Sequence, residues 1–337
     1  MKENGRGRET VVITGASAGV GRATARRFAR RGARIGLIAR GPDGLEAARR
    51  EVEALGGSAI VLPADVANPG QVEAAASAVE DAFGPIDVWI NNAMVSVFSP
   101  VQEMTAADYR RVTEVTYLGS VYGALAALDR MRPRDHGTIV FVGSVLSYRG
   151  IPLQSAYCGA KHAIQGFHDS LRSELLHEGS NVRTTLVRLP AVNTPQFSWV
   201  KSRLPKKAQP VPPIFQPEVA ANAIYWAAHH ERREFTVGAR ATAILWGNKL
   251  APGLGDRYLA RTGFDSQQTD EPEDPDRDHN LYHPIAGDHG AHGDFDERAH
   301  RHSPHLWANT HRAVVAVGAG MIAGAVGLLA RSRDRKT

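Results

Sequence analysis

Tyr157 precedes Lys161 by four residues in the stretch "SAYCGAKHA", residues 155–163. On a helix that interval sets the two side chains on one face, about one turn apart. A free tyrosine has a pKa of about 10, and a neighbouring ammonium group favours its phenolate, so the pair has the makings of a proton-transfer device. The same spacing also suits an ordinary solvated surface pair. The rest of the chain decides between the two.

A second group of residues points to an anion. The segment "TGASAGVG", residues 14–21, follows the apolar run "TVVIT" and opens a helix-length pattern. Gly15 permits a tight turn, Gly19 lets the backbone approach a diphosphate, and Gly21 allows a helix to pack closely on a sheet. Exposed N–H groups and the helix dipole then favour a phosphate at that helix N-terminus. About twenty residues on, an NAD site carries an Asp or Glu for the ribose hydroxyls. Here "LIARG" puts Ala39 and Arg40 in that place. A guanidinium pairs with a 2′-phosphate through charge-assisted bonds, so Arg40 argues for NADP over NAD.

These residues need a frame. Apolar runs at 10–14, 34–39, 58–64, 86–91, 137–143 and 182–189 read as buried strands, separated by helix-length segments such as 18–31, 43–55 and 70–83. Strands alternating with helices predict an α/β fold, a doubly wound parallel sheet of the Rossmann type, over residues 10–262. With 43% hydrophobic residues in 337, the chain has enough for one full core. The single cysteine, Cys158, excludes an internal disulfide framework and fits a reducing compartment. Residues 1–9 are polar, a flexible N-terminus without the apolar stretch of a secretory signal, so the catalytic portion is expected in the cytoplasm. The net charge is +5, and the basic residues at 22–50 lack interleaved aromatics, which argues against nucleic acid. Arg22, Arg26, Arg27, Arg30 and Arg31 read as the solvated face of a helix.

Beyond residue 262 the composition changes. Residues 263–312 are acidic and histidine-rich with few aliphatics, which predicts a disordered linker. Eight of the fourteen histidines fall between 279 and 311, but at irregular intervals and without cysteines, so no metal site is assigned. Residues 313–330 then run eighteen positions without a charge, a candidate transmembrane helix with Gly320 and Gly324 as a GxxxG pair, followed by a basic C-terminus at 331–337. A Gly/Ala-rich helix docking on the domain is the competing reading. The basic cluster after the run sits on the wrong side for a cytoplasmic domain under the positive-inside rule.

Taken together, "TGASAGVG", "ADV" (64–66), "NNAM" (91–94), Ser144 and "YCGAK" (157–161) stand in the order found in short-chain dehydrogenases/reductases. The chain resembles that family over about residues 10–262, and Ser144 lies thirteen residues before Tyr157, as the family requires. The resemblance implies an NAD(P)-dependent oxidoreductase that interconverts a carbonyl and a secondary alcohol. Tyr157 would be the general acid/base, Lys161 would lower its pKa and hold the nicotinamide ribose, and Ser144 would polarise the carbonyl. Gly15, Ser17, Gly19, Val20, Gly21 and Arg40 would bind the cofactor, NADPH, with Asp65 and Val66 bordering the adenine and Asn91 steadying the adjoining strand. "LPAVNTP" (189–195) is similar to the segment that contacts the nicotinamide carboxamide, through the Asn193 backbone and the Thr194 hydroxyl, with Ala191 replacing the usual glycine.

Two departures stand out. Thr116, in "VTYLG", takes the place of the asparagine that holds a proton-relay water. Threonine is shorter and lacks the paired donor and acceptor of an amide. Met94 replaces the glycine of the family's NNAG, where its side chain lines or narrows the site. The segment 196–216, with Phe197, Trp199, Leu204, Ile214 and Phe215 among Lys201, Arg203, Lys206 and Lys207, reads as a lid for an apolar substrate and as a surface able to lean on an anionic membrane. A loop that simply packs its aromatics on the domain reads equally well. Two other functions compete: a membrane-tethered NADP-binding protein with little catalysis, motivated by Thr116, and an epimerase or dehydratase of the larger YxxxK relatives, for which residues 190–262 leave little room. Helices expected at 101–131 and 154–177 would carry a homo-oligomer contact.

Overall fold

In the computed structural model, which describes residues 8–315, the apolar runs become strands at the expected places. Strands β1 (Thr10–Thr14), β2 (Arg34–Ala39), β3 (Ser58–Pro63), β4 (Val88–Asn91), β5 (Thr138–Ser144) and β6 (Arg183–Leu189) are all parallel. A seventh strand, β7 (Glu234–Thr236), adds to the β6 edge with Phe235 opposite Val187. Its three residues contain one apolar side chain, too little to be read from pattern. The order across the sheet is β3-β2-β1-β4-β5-β6-β7, so the chain reverses direction between β1 and β4. That reversal opens a crevice at the carboxyl ends of the strands, where ligands of doubly wound folds sit.

Helices cover both faces, which is why the strands are continuous apolar runs rather than alternating ones. On one face Phe28 of α1 (Gly19–Ala29), Leu45 and Val52 of α2 (Pro42–Ala54) and Ile224 of α7 (Pro217–His229) share a core with Ile13, Leu37 and Val140. On the other, Val72 and Val79 of α3 (Pro69–Phe83), Ala124 and Leu128 of α5 (Gly119–Met131) and Ile164 and Leu171 of α6 (Ser155–His177) pack on Val12, Trp89 and Phe141. Helix α4 (Ala106–Val112), started by a Thr105–Asp108 capping box, runs into α5 through a π-helical turn at Thr113–Leu118. Helices α8 (Ala239–Leu250) and α9 (Pro252–Thr262) form a hairpin beside the crevice.

Two expectations are corrected here. Arg22 is not on a solvated face: it is 1% exposed, with its guanidinium donating to Glu51, Asp288 and the carbonyls of Ser17 and Gly44. Residues 263–312 are not a disordered linker. Gln268–Pro272 pairs antiparallel with Lys206–Ala208, Ala299–His300 pairs with Ile214–Phe215, and Leu281 is fully buried in the main core. The segment has little apolar area of its own, and it is held instead by hydrogen bonds from groups the domain already orders. A short helix, α10 (Pro304–Thr310), ends it. Among the described residues no helix is long and apolar enough to cross a membrane, and the candidate span at 313–330 lies outside them except for its first three positions.

The segment 196–216 is tied down by matched charge. Lys201 and Arg203 both pair with Asp108, a fully buried carboxylate, at 2.9 and 2.6 Å, while Lys206 and Lys207 face Asp270 and Glu271. The basic side chains read as membrane-facing are thus pairing partners within the molecule. Burial opposes the Asp108 charge, but the Lys201 and Arg203 bonds and the Thr105 amide hold its carboxyl well below the usual range. Its contribution to stability is therefore present above about pH 4 and lost as the pH falls through its depressed value. Asp108→Asn is expected to cost about 3 kcal/mol, because two cations then lose their buried partner. Thermal unfolding at pH 7 measures the loss, and the gap between wild type and variant should narrow progressively as the pH falls below about 4.

Candidate active site

A cavity of about 1020 Å³ runs along the carboxyl ends of the strands. One end is bounded by the turn between β1 and α1. Gly15 and Gly19 there have φ of +69° and +55°, and a Cβ on Gly15 would come within 2.9 Å of Ala93 and Asn92. A Cβ on Gly21 would stand 2.1 Å from the Gly15 carbonyl, so that glycine sets the approach of α1 to the sheet. The N-terminus of α1 has no side-chain cap and no acidic residue in its first turn, and Gly15, Ser17, Gly19 and Val20 line the cavity. Those features suit a diphosphate.

Arg40, Asp65 and Val66 line the same end, at the tips of β2 and β3. The Asp65 carboxylate accepts from Arg111, whereas the Arg40 guanidinium donates to two neutral acceptors, the carbonyls of Asn280 and Leu281, at 2.5 and 3.4 Å. Burial, and then the Arg111 charge, weaken the hold of Arg40 on its proton. A cation held by carbonyls alone keeps its charge for an anionic ligand.

The other end gathers Ser144, at the end of β5, with Tyr157 and Lys161 on α6. Lys161 Nζ lies 5.6 Å from the Tyr157 ring centroid and donates to the Val142 carbonyl at 2.7 Å. Burial alone brings Lys161 down to about 8. Burial also raises the Tyr157 phenol well above its ordinary value, against a smaller opposing effect from its hydrogen bond with Ser144. The phenol is thus protonated at neutral pH, the form a proton donor requires. Lys161 is almost wholly buried and Tyr157 half-buried at the cavity wall, and the lowering of the phenol expected from Lys161 does not appear, because burial dominates.

Four expected residues lie elsewhere. Gly21 acts through packing alone. Asn91 points away from the cavity, under α5, where its carbonyl oxygen accepts from Trp89 at 3.0 Å and a Cβ on Gly123 would meet it. Its neighbour Asn92 lines the cavity instead and donates to the carbonyls of Thr14 and Gly15. Successive residues of an extended segment face opposite ways, so the period of two carried that signal. Asn193 is fully buried, its amide donating to Asp296 and Gln216 and accepting from Phe295, while Thr194 does line the cavity.

The fourth is Thr116. It is fully buried, and its hydroxyl donates to the Val95 carbonyl at 3.0 Å and accepts from the Val95 N–H at 3.1 Å. Those two bonds clamp the π-helical turn to the strip after β4, and the hydroxyl is committed to backbone. Met94 and Val95 line the cavity as a result. Arg149 and Gln154, which carried no sequence signal, also line it, joined to Asp256 of α9 and to Gln267. Cys158 is buried beside Ile151, outside the lining, and burial pushes its thiol up. Among the described residues no group of three or more His, Cys, Asp or Glu is arranged to hold a metal ion.

The reversed-order sheet, the glycine turn and the Ser144–Tyr157–Lys161 cluster define a nucleotide-binding α/β oxidoreductase. The sequence model for short chain dehydrogenases matches residues 9–203. A Bacillus subtilis protein described as the uncharacterized oxidoreductase YxnA is 35% identical over 283 residues, 83% of this chain and 80% of its own length. Mouse dehydrogenase/reductase SDR family member 7B is 37% identical over 55% of this chain and 58% of its own. The chain belongs to the short-chain dehydrogenase/reductase family, whose members carry out NAD(P)-dependent oxidoreduction. Among solved structures, an alcohol dehydrogenase from the archaeon Thermococcus sibiricus, complexed with 5-hydroxy-NADP, superposes with a TM-score of 0.59 at 28% identity, covering 68% of this chain and 96% of that one. Levodione reductase does so with a TM-score of 0.61 at 26% identity, over 71% and 100%.

If Thr116 serves as a clamp, Thr116→Val should cost about 1–3 kcal/mol by leaving the Val95 backbone groups unpaired, and Thr116→Ser should restore most of it. Thermal unfolding of both variants checks this. A lowered turnover in Thr116→Val at unchanged stability would instead assign the hydroxyl to proton relay.

Proposed function

We propose that the protein is an NADP-dependent reductase of an apolar carbonyl compound, acting through Tyr157, Ser144 and Lys161. The observation that carries this reading is the convergence of those three side chains on one end of a cavity whose other end presents the glycine turn and Arg40. Gly15, Ser17, Gly19, Val20, Asn92 and Thr194 would hold the dinucleotide, with Arg40 on the 2′-phosphate and Asp65 and Val66 beside the adenine.

When bound, the reduced nicotinamide supplies a hydride for the carbonyl carbon. The protein's own part is at the oxygen. Ser144 hydrogen-bonds it, and the Tyr157 phenol donates its proton as negative charge develops there. The Lys161 ammonium, fixed by Val142, stabilises the phenolate left behind. The aldehyde or ketone would meet Met94, Leu146, Phe197, Trp199, Ile244 and Tyr258, an apolar wall. A homo-oligomer built on the helices 101–131 and 154–177 would cover Leu125 and Leu176, which are 50% and 65% exposed.

NADPH consumption with medium-chain and aromatic aldehydes and ketones tests the reading. Tyr157→Phe is expected to lose turnover by at least about 100-fold while keeping cofactor affinity, since general acid catalysis contributes that much. Arg40→Ala should weaken NADPH about tenfold and leave NADH nearly unchanged, the loss of one charge-assisted contact. Tight NADPH binding without turnover across the panel would favour the tethered binder. The rate of reduction should also depend on pH. Lys161 is protonated below about pH 8 and neutral above it, so the rate is expected to fall as pH rises through that value. A rate rising over the same interval would contradict the role given to the ammonium group.

A further inference from the structure

Residues 277–296 cross the mouth of the cavity from one wall to the other. On the nucleotide side, Asn280 and Leu281 accept from Arg40, Leu281 also accepts from Arg111, and the Gly287 N–H donates to Asp43. Asp288 pairs with the buried Arg22 at 2.7 Å, and the Gly290 carbonyl accepts the N–H of Gly19 in the glycine turn itself. On the substrate side, Arg277 donates to the carbonyls of Ser198 and Val200, and His289 stands edge-on to Trp199. Gly293 is pressed against Thr194, where a Cβ would come within 2.4 Å of the backbone oxygen. Asn280, Pro284, Ile285, Gly287 and His289 contribute to the lining of the cavity.

We propose that residues 277–296 are a strap that forms the outer wall of the dinucleotide site and gates it, so that cofactor enters and leaves only when the strap lifts. The inference rests on the cofactor reading above. Three physical features support a strap that moves as a unit. Its fixings are mostly hydrogen bonds, with the Asp288–Arg22 and Arg277–Glu273 ion pairs and His292 against Glu218, and Leu281 and Ala291 are its buried apolar side chains. Most of these contacts exchange for water at modest cost, while the Asp288 pair with buried Arg22 and the Leu281 side chain in the core hold the strap closed. The fixings lie on both banks of the crevice, so closing encloses what lies beneath. The strap also sets the adenosine end of the site, because its carbonyls orient Arg40 without neutralising it.

Asp288 and Arg277 anchor the strap but do not line the cavity, which makes them suitable probes. Asp288→Asn leaves Arg22 paired with Glu51 and bonded to Ser17 and Gly44. Arg277→Ala frees the other bank. Stopped-flow fluorescence of NADPH binding to the full chain, and displacement by excess NADP⁺, gives both rate constants. Each variant is expected to speed dissociation about tenfold, the effect of one lost charge-assisted bond, and to speed association as well. Faster entry is the distinguishing readout, since damage to a static wall would not accelerate binding. Unchanged rates in both variants, or faster release with unchanged or slower entry, would overturn the gate. Should Arg277→Ala fail to fold, the conservative Asp288→Asn decides alone. A wild-type chain that binds no NADPH in equilibrium titration would overturn the cofactor reading, and the strap with it.

Discussion

The buried guanidinium of Arg22 organises much of this molecule. It sits on α1, one residue past the glycine turn, almost wholly out of water, and a cation there must be paired and hydrogen-bonded or the fold would expel it. Five contacts meet that demand: two carbonyls from Ser17 and Gly44, the Glu51 carboxylate, and both oxygens of Asp288. Burial opposes the charge on Glu51, yet Arg26 and Arg22 together hold it down at about 2. Two guanidinium groups are thereby matched to two carboxylates. The result couples the turn, the start of α2 and the distant segment around residue 288 through one planar group. Any arrangement that left Asp288 elsewhere would uncover part of a buried charge.

The chemistry at the other end of the cavity depends on burial in a different way. Lys161 is almost wholly buried and Tyr157 half-buried at the cavity wall, and desolvation moves each toward its neutral form. In a carbonyl reduction that is an appropriate resting state, with a proton held ready on the phenol. Negative charge develops on the phenol only when the proton leaves, and the Lys161 ammonium fixed by the Val142 carbonyl is then the nearest group able to answer it. Proximity on one helix face would achieve little without the burial of Lys161 against β5, whose Val142 carbonyl fixes its nitrogen.

The segment after residue 262 shows what composition omits. Counting aliphatics between 265 and 279 gives none, and a chain that must rely on its own apolar area would stay disordered. The fold supplies the other half. Arg22 and Arg111 are already bonded within the Rossmann domain and Arg40 is buried at its edge, and all three have donors to spare, so carbonyls and carboxylates arriving from the tail meet donors whose ordering entropy has in part been met. The acidic character that suggests solvent is the property that docks the segment.

What the residues alone determined is local or strictly periodic. The apolar runs located β1 to β6 because parallel strands covered on both faces need unbroken hydrophobicity, and the glycine turn and the Tyr157–Lys161 interval are set by backbone sterics and helical pitch over a few residues. Those signals carried the family, the cavity's two ends and the side chains proposed to react. Tertiary structure decided the rest. It chose Asn92 over Asn91, committed Thr116 to the Val95 backbone, buried Arg22, added β7 from a single phenylalanine and laid residues 277–296 across the crevice. Each of these depends on a partner more than twenty residues away or on which side of a strand a residue falls. Composition and spacing along the chain hold no record of such pairings, because the contact exists only once the sheet has closed around it.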